Sequence, residues 1–540
     1  MSITSADIQL DDPGSTNLHP LSSATFFLAK AWIDKCKDEH PTCNIRYDTT
    51  FKPTRLIDVG ERNVSPRLIE TTTTRSTDLQ YIALSHRWGS SMPDSAMTKL
   101  ATIRKRLTRI PVRTLPNSFR DAVIATRRLG LRYLWIDSLC ILQDSPEDWQ
   151  RESALMGKVY SHSFCMIAAA AASDSFGGLF AQDTDLPLLP ASRDMPESCA
   201  ALRSAWIKPR VESWDELFNA SKLNERGWTL QERELSPRIL YFTKHTLLFE
   251  CRKARSTGPL LQELRGPDSD RETFLAPKEY VAMNSKNRRC LDQPAPEDMT
   301  WQSRRSLIRE NRYLDWMNMI EGYSERTLST PTDKFPGLSG LASEFAYILD
   351  DQYVAGLWRR DLARGLCWRW KENTVTHRLS ERSSKIMMMN YGPSWSWAKM
   401  IVPISYDLVA KGSGGAQLIE PNANLEAFEP HFLHVTTVAE GKDPNGTLVS
   451  ATIHLEGFIF RASRSKTGNL LVLGQSLRVT WDFLPQTATT YFILSLGETG
   501  AGLVLIHTEL NDNEYRRVGI IPTIQREWFN QSDIQKLTLV

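Results

Sequence analysis

Neither a phosphate-cradling G-x-x-x-x-G-K-[ST] loop nor a G-x-S-x-G nucleophile elbow occurs in the 540 residues, which disfavours P-loop nucleotide hydrolysis and ordinary serine hydrolysis. Charge bias is missing too. Lys plus Arg number 65 against 63 Asp plus Glu, a net charge of +2, so no nucleic-acid partner is expected. The longest apolar run, Cys165 to Ala172, falls far short of the about 20 residues a bilayer-spanning helix needs, and no membrane partner is expected. The first residues, Met-Ser-Ile-Thr-Ser-Ala-Asp, have neither a basic start nor an apolar centre, so we expect no signal peptide. The eight cysteines are scattered from Cys36 to Cys367, the pattern of a reduced, cytoplasmic protein and not of a disulfide scaffold.

What the chain does have is apolar mass and tryptophan. A 41% hydrophobic content indicates ordinary globular packing, and the length suffices for two to four domains. Sixteen Trp is a high number, and most are expected in cores, where the indole N–H needs a partner. Three stretches join an apolar run to a polar cluster: Tyr81-Ile-Ala-Leu-Ser-His-Arg-Trp-Gly89, Leu134-Trp-Ile-Asp-Ser-Leu-Cys-Ile-Leu-Gln-Asp144 and Arg226-Gly-Trp-Thr-Leu-Gln-Glu-Arg-Glu-Leu-Ser-Pro-Arg238.

Local patterns set out the elements. A helix is expected over Ser23 to Lys37, after a polar tail of about 22 residues. A second opens at Leu115-Pro-Asn-Ser-Phe-Arg-Asp, with Ser118 as cap, Asp121 three residues on and Gly130 as terminator. Buried strands are expected at Tyr81 to Leu84, Tyr133 to Ile136 and Phe164 to Ala171. Between the last two, Ser145-Pro-Glu-Asp starts a helix. This alternation predicts a parallel sheet with covering helices. Residues Arg252 to Arg305 form a polar excursion. Trp301 to Leu349 and Tyr353 to Trp370 look helical, and alternating runs from about Tyr391 onward predict a β-rich module. The Gly497-Glu-Thr-Gly-Ala-Gly502 run lies between two expected strands and is assigned as a hairpin turn, not a phosphate loop. The expected division is 1–75, an N-terminal tail and helical segment; 76–255, the α/β domain; 256–380, the polar excursion and helical region; and 381–540, the β-rich module.

In order and spacing the three blocks resemble the fungal heterokaryon-incompatibility (HET) domain, whose pattern runs roughly Y-x-x-L-S-x-x-W-G, W-I-D-x-x-C-I-x-Q-D and R-x-W-x-x-Q-E-x-x-L-S-x-R. The likeness extends through Asp148-Trp149, Glu152, Met156 and Tyr160. It also takes in Trp32, Cys36, His40 and Cys43 upstream, and Tyr323-Ser324, Asp333-Lys334, Gly356-Leu-Trp358 and Pro393-Ser-Trp-Ser-Trp397 downstream. Arg87, Phe249 and the absence of an Arg after Gly178-Leu-Phe180 depart from the pattern. The resemblance implies a distantly Toll/interleukin-receptor (TIR)-like α/β core and a role in nonself recognition (vegetative incompatibility) and programmed cell death. TIR-like cleavage of NAD is a further implication.

Candidate chemistry follows from position. Asp137 and His86 each end an expected strand, where open α/β sheets bind ligands; Glu232 is the third candidate catalytic group. For Asp137 the competing reading is a cap of the following turn. For Glu232 it is a structural network with Arg226 and Arg238. Ser85, Trp88, Cys140, Gln143, Trp228 and Gln231 are the expected ligand contacts. Cys140 is a nucleophile only if His86 reaches it; otherwise it is a small buried hydrophobe. Cys36-x3-His40-x2-Cys43 offers soft donors at helical spacing, but no second Cys pair follows nearby and Pro41 breaks the helix between them. It is therefore assigned as a helix end. No metal and no cofactor are expected. Two other functions remain open: a biosynthetic enzyme cyclising a terpenoid or polyketide precursor in a Trp-lined pocket without cofactor, and a non-catalytic interaction module. Partners are accordingly a small-molecule ligand or substrate, or a protein, including a second copy of the chain.

Overall fold

The computed structural model describes residues 23–44, 50–61, 64–73, 79–180, 214–244, 246–257, 301–371, 392–409, 428–465, 469–483, 485, 488, 490–508, 511, 513–525, 528 and 533–540. The expected polar tail and most of the polar excursion lie outside them. Two compact units divide the chain: residues 1–140, 163–223 and 237–268, and residues 141–162, 224–236 and 269–540. Among the described residues no helix is long and apolar enough to cross a membrane.

The first unit is built on an eight-stranded sheet. Its strands are β1 (Arg55–Asp58), β2 (Arg67–Glu70), β3 (Tyr81–Ser85), β4 (Tyr133–Trp135), β5 (Cys165–Ala168), β6 (Arg238–Phe242), β7 (Leu247–Cys251) and β8 (Arg255–Thr257), in the order β2-β1-β4-β3-β5-β6-β7-β8. The four central strands, β4-β3-β5-β6, run parallel. The outer pairs β1-β2, β1-β4, β6-β7 and β7-β8 are antiparallel. The expected parallel sheet is thus the centre of a mixed one. Tyr-Ile-Ala-Leu-Ser in β3 and Cys-Met-Ile-Ala in β5 are buried at every position, as strands covered on both faces must be.

Helices α1 (Ser23–Glu39), α2 (Ile103–Thr108), α3 (Asn117–Arg128), α4 (Asp137–Cys140) and α6 (Trp214–Asn219) belong to this unit. Phe119, Ala122, Val123 and Thr126 form the buried stripe of α3, and Gly130, at φ 85°, follows its end. Its start differs from expectation. Pro116 stands at the cap without a side-chain bond, while Ser118 and Asp121 accept from Gly178, Leu179 and Phe180 N–H groups. A cap-like Ser/Asp pair anchors a distant loop here.

In the second unit, Ser145 caps α5 (Pro146–Ser161) by accepting from the Asp148 N–H, with Pro146 at the first helical position. This helix packs with α7 (Thr229–Leu235) and with α9 (Pro336–Leu349), which follows α8 (Trp301–Ser324). Tyr353 to Trp370, expected as helix, instead opens with the hairpin β9 (Tyr353–Val354) and β10 (Leu357–Trp358). Ala355 and Gly356 both take positive φ, 49° and 93°, which is the tight-hairpin geometry. The Gly356 carbonyl accepts from the indoles of Trp316 and Trp397, each at 3.1 Å, so two core Trp are satisfied by one turn. C-terminal to this, a nine-stranded, mainly antiparallel sheet is centred on the long strand Leu448–Arg464. The hairpin expected at 497–502 joins Thr490–Ser495 to Gly502–His507. On the neighbouring strand Glu514–Ile521, Arg517 is fully buried, paired with Asp482 and donating to the Leu366 and Trp368 carbonyls.

α5 and α9 meet through glycine. A Cβ on Gly157 would stand 2.6 Å from Gly340 Cα, a distance that forces backbone apart. Alanine normally favours a helix interior over glycine by up to about 1 kcal/mol, so the sign of Gly157→Ala is informative. We expect overpacking to win and stability to fall by about 1–3 kcal/mol, read from the urea midpoint; unchanged or raised stability would show that the helices separate freely.

Candidate functional site

The site in the first unit starts from register. Tyr81, Ile82 and Ala83 of β3 lie opposite Tyr133, Leu134 and Trp135 of β4. The carboxyl ends of the two strands therefore finish at the same level, one delivering Ser85-His86 and the other Asp137. Strand β3 is also the pivot of the sheet: the chain passes from β3 to β4 on one side, then returns to β5 on the other. That reversal is a topological switch point, where a crevice opens outside the strand ends.

Asp137 opens the single turn α4 (Asp137–Cys140). Its Oδ1 accepts from the Ser138 N–H at 2.7 Å and its Oδ2 from the Trp88 indole at 2.9 Å. The turn itself is stitched down. Thr98 donates its N–H to the Ser138 carbonyl and its hydroxyl to the Leu139 carbonyl, Ser138 Oγ donates to the Ala96 carbonyl, and Arg55 donates to the Cys140 carbonyl at 2.6 Å. His86 Nδ1 stands 3.9 Å from Asp137 Oδ1, and the His86 ring meets Phe119 edge-on at 4.9 Å. The His86 side chain is 1% exposed and that of Asp137 20%, so the carboxylate faces solvent and the imidazole lies behind it. Ser85 is buried, its carbonyl accepting from the Ala169 N–H of the β5 end. Cys140 is likewise buried.

Loop 173–180 closes over this end. Ser175 Oγ donates to the Arg87 carbonyl at 3.0 Å, and Gly89, at φ 82°, lets the Trp88 turn approach Asp174, to which a Cβ would come within 2.6 Å. Burial raises the Asp121 carboxyl above its ordinary range, against the lowering effect of the Leu179 and Phe180 N–H groups it accepts from. Arg87, one of the departures from the family pattern, donates to the Lys222 carbonyl at 2.7 Å. Phe119, Thr98, Asp121 and Ser175 were not among the residues singled out from sequence. Of these, the sequence marks Asp121 alone as part of the expected cap of α3.

The remaining expected residues belong to the second unit. Trp228 donates to Asp333 Oδ2 at 3.0 Å, and burial raises the Asp333 carboxyl, partly offset by that indole. Gln231 spans α9: its amide nitrogen donates to the Pro336 carbonyl at 3.4 Å and its oxygen accepts from the Gly340 N–H at 3.2 Å. Glu232 is buried one residue later, its carbonyl accepting from Ser236 Oγ at 2.6 Å. Gln143 turns back on the Ile141 carbonyl. A polar cleft of about 560 Å³ in this unit is lined by Ala346, Asp350, Asp351, Gln352, Arg359 and Arg360, and Trp228 does not line it.

Residues 81–232 match the model of the family described as Heterokaryon incompatibility protein (HET); the stretch from β3 to α7 is a HET domain. No curated protein and no solved structure matches the chain.

The Trp88–Asp137 bond is testable by itself. Trp88→Phe keeps the ring and removes the donor, and Asp137→Asn keeps the shape. In a double-mutant cycle read by chemical denaturation we expect a coupling of about 0.5–1.5 kcal/mol. Additive effects would mean that the indole and the carboxylate do not hold each other.

Proposed function

We propose that this chain acts in fungal nonself recognition and programmed cell death, and that Asp137, with Trp88 and His86 fixing its surroundings, is the ligand-facing group. One observation carries the reading. Within a HET domain, a part-exposed carboxylate stands at the switch point of a parallel sheet beside a buried imidazole, where α/β folds meet their ligands. The small-molecule ligand proposed is a nicotinamide dinucleotide and the reaction its hydrolysis. Water adds to the ribose C1′, the bond from C1′ to the nicotinamide nitrogen breaks, and nicotinamide leaves with the bonding pair. A carboxylate beside C1′ stabilises the oxocarbenium-like centre that develops, as in glycoside hydrolysis. The proton released by water passes to a base at the site, a role open to the carboxylate or to His86.

The cyclase reading requires a preformed apolar cavity lined by Trp88 and Trp228. The described cleft of the second unit is polar, and Trp228 is engaged with Asp333.

Two experiments separate the outcomes. Regulated expression of the intact chain in a fungal host should arrest growth, and Asp137→Asn, expressed to the same level, should relieve the arrest. Healthy growth at high wild-type expression sinks the role. Purified protein incubated with NAD should release nicotinamide, and release should fall by about 10²–10⁴-fold in Asp137→Asn, the size of effect a positioned acid–base group supplies. Arrest without nicotinamide release would retain the role and discard the reaction.

A further inference from the structure

The geometry points to a structural zinc site in the first unit, with Cys36, His40, Cys43 and Cys251 as its four ligands. The donor atoms of these four side chains all lie within 4.8 Å of one another. Zinc in a tetrahedral site keeps about 2.3 Å to sulfur and about 2.0–2.1 Å to nitrogen. Donors around such an ion are therefore separated by somewhat under 4 Å, and the cluster needs only a small contraction to reach that. Cys251 Sγ already lies 3.4 Å from His40 Nδ1. Three thiols and an imidazole form a common donor set for structural zinc.

The way the chain assembles the set explains why its sequence spacing looked wrong. Cys36 sits in the last turns of α1, and the His40 N–H closes on the Cys36 carbonyl at 3.1 Å. Pro41 then starts a tight turn, Pro41–Asn44, and the Cys43 N–H closes on the His40 carbonyl at 2.9 Å. The proline that ends the helix between the ligands is what bends Cys43 back toward the others. The fourth donor comes from the end of β7, more than two hundred residues along the chain, where sequence spacing gives no hint of it.

The surroundings are those of a ligated thiolate. Cys251 Sγ accepts from the N–H groups of Lys253 and Ala254 at 3.4 and 3.3 Å, bonds that a negatively charged sulfur receives better than a thiol. Arg238 Nε points at Cys36 Sγ at 3.2 Å, and the same guanidinium is held by the Phe164 carbonyl and Asn44 Oδ1. Arg252 reaches the Thr42 carbonyl at 2.9 Å, inside the ligand-bearing turn. Three thiolates and a neutral imidazole around Zn²⁺ carry a net −1, and two arginines stand where that charge would be. Partners placed around the ligands in this way orient them and tune affinity. All three cysteines are buried and His40 is half-buried, so four protein ligands close the site and leave no position for water, the form of a structural and not a catalytic zinc. Its mechanical effect is to clasp the end of α1 to the end of β7, next to the stacked rings of Trp32 and Phe249. The replacement of Trp by Phe at 249 keeps that stack.

The test uses the full chain, purified without chelator, exchanged against EDTA and reloaded with zinc alone. Elemental analysis should give one zinc per chain, and Co²⁺ in its place should show the intense visible bands of a tetrahedral thiolate site. Cys251→Ser should drop the stoichiometry at least tenfold. His40→Cys, which keeps four soft donors, should retain both metal and spectrum, and Arg238→Met should weaken binding by about 10–100-fold. Should Cys251→Ser not fold, the Co²⁺ spectrum of the wild type decides alone. Folded wild-type protein with neither zinc nor a tetrahedral Co²⁺ spectrum overturns the assignment. So does full metal retention in folded Cys251→Ser, or a mass two hydrogens lighter from a disulfide among these cysteines in metal-free protein as isolated.

Discussion

The parallel, in-register run of β4, β3 and β5 is the constraint on which the candidate site depends. Strands β3 and β5 are buried at every position, and β4 at all but Tyr133, so polar groups are kept to the strand ends. Seryl, imidazole and carboxylate groups then appear together because the register leaves them at one level. Everything nearby keeps that level fixed. Arg55 and Thr98 hold the α4 turn from separate segments, and Ser118 and Asp121 hold the loop that carries Ser175. A one-residue slip of β3 against β4 would reverse every face and separate His86 from Asp137.

The second unit spends its polar residues differently. Gln231 occupies a backbone donor and a backbone acceptor on α9, Trp228 is tied to Asp333, and the Gly356 carbonyl serves two indoles. Arg517 directs its guanidinium to Asp482 and two carbonyls beneath the Trp368 ring. Buried polar groups of this kind are costly unless each finds its partner, which fits a Trp-rich core built from hairpins and turns as well as helices. Trp228 and Gln231 of the third sequence block thus bond to the helix and turn around them.

Legibility in the sequence followed the range of the interaction. The central strands, the Ser145 cap and the 497–502 hairpin are local and period-driven, and the residues alone gave them away. Ser118 and Asp121 carried the spacing of a local cap but bond to a loop some sixty residues away. Tyr353 to Trp370 has the aromatic and apolar density of a helix, yet Ala355-Gly356 folds it into a hairpin whose carbonyl is needed by Trp316 and Trp397. The fourth cysteine of the α1–β7 cluster was visible only as an isolated residue, since nothing local marks a partner that far along the chain. Asp137 and His86 stood out in the sequence because they follow the ends of expected strands, whereas Phe119, which meets the His86 ring edge-on, was visible only as one position in an amphipathic stripe.

The two readings of Asp137, cap and chemistry, are not exclusive in this geometry. An ionised carboxylate offers about four lone-pair directions, and in Asp137 Oδ1 accepts from the Ser138 N–H and Oδ2 from the Trp88 indole. These bonds fix the plane of the group. A carboxylate free to rotate would lose that orientation, at an entropic cost each time a ligand bound; one bonded on all sides would have nothing to offer. His86 adds a second constraint from the buried side, its ring held edge-on by Phe119 with Nδ1 3.9 Å from Asp137 Oδ1. The cap therefore serves as preorganisation. It holds Asp137 as a fixed, part-exposed acceptor at the strand end, the preorganisation that the proposed ligand role requires.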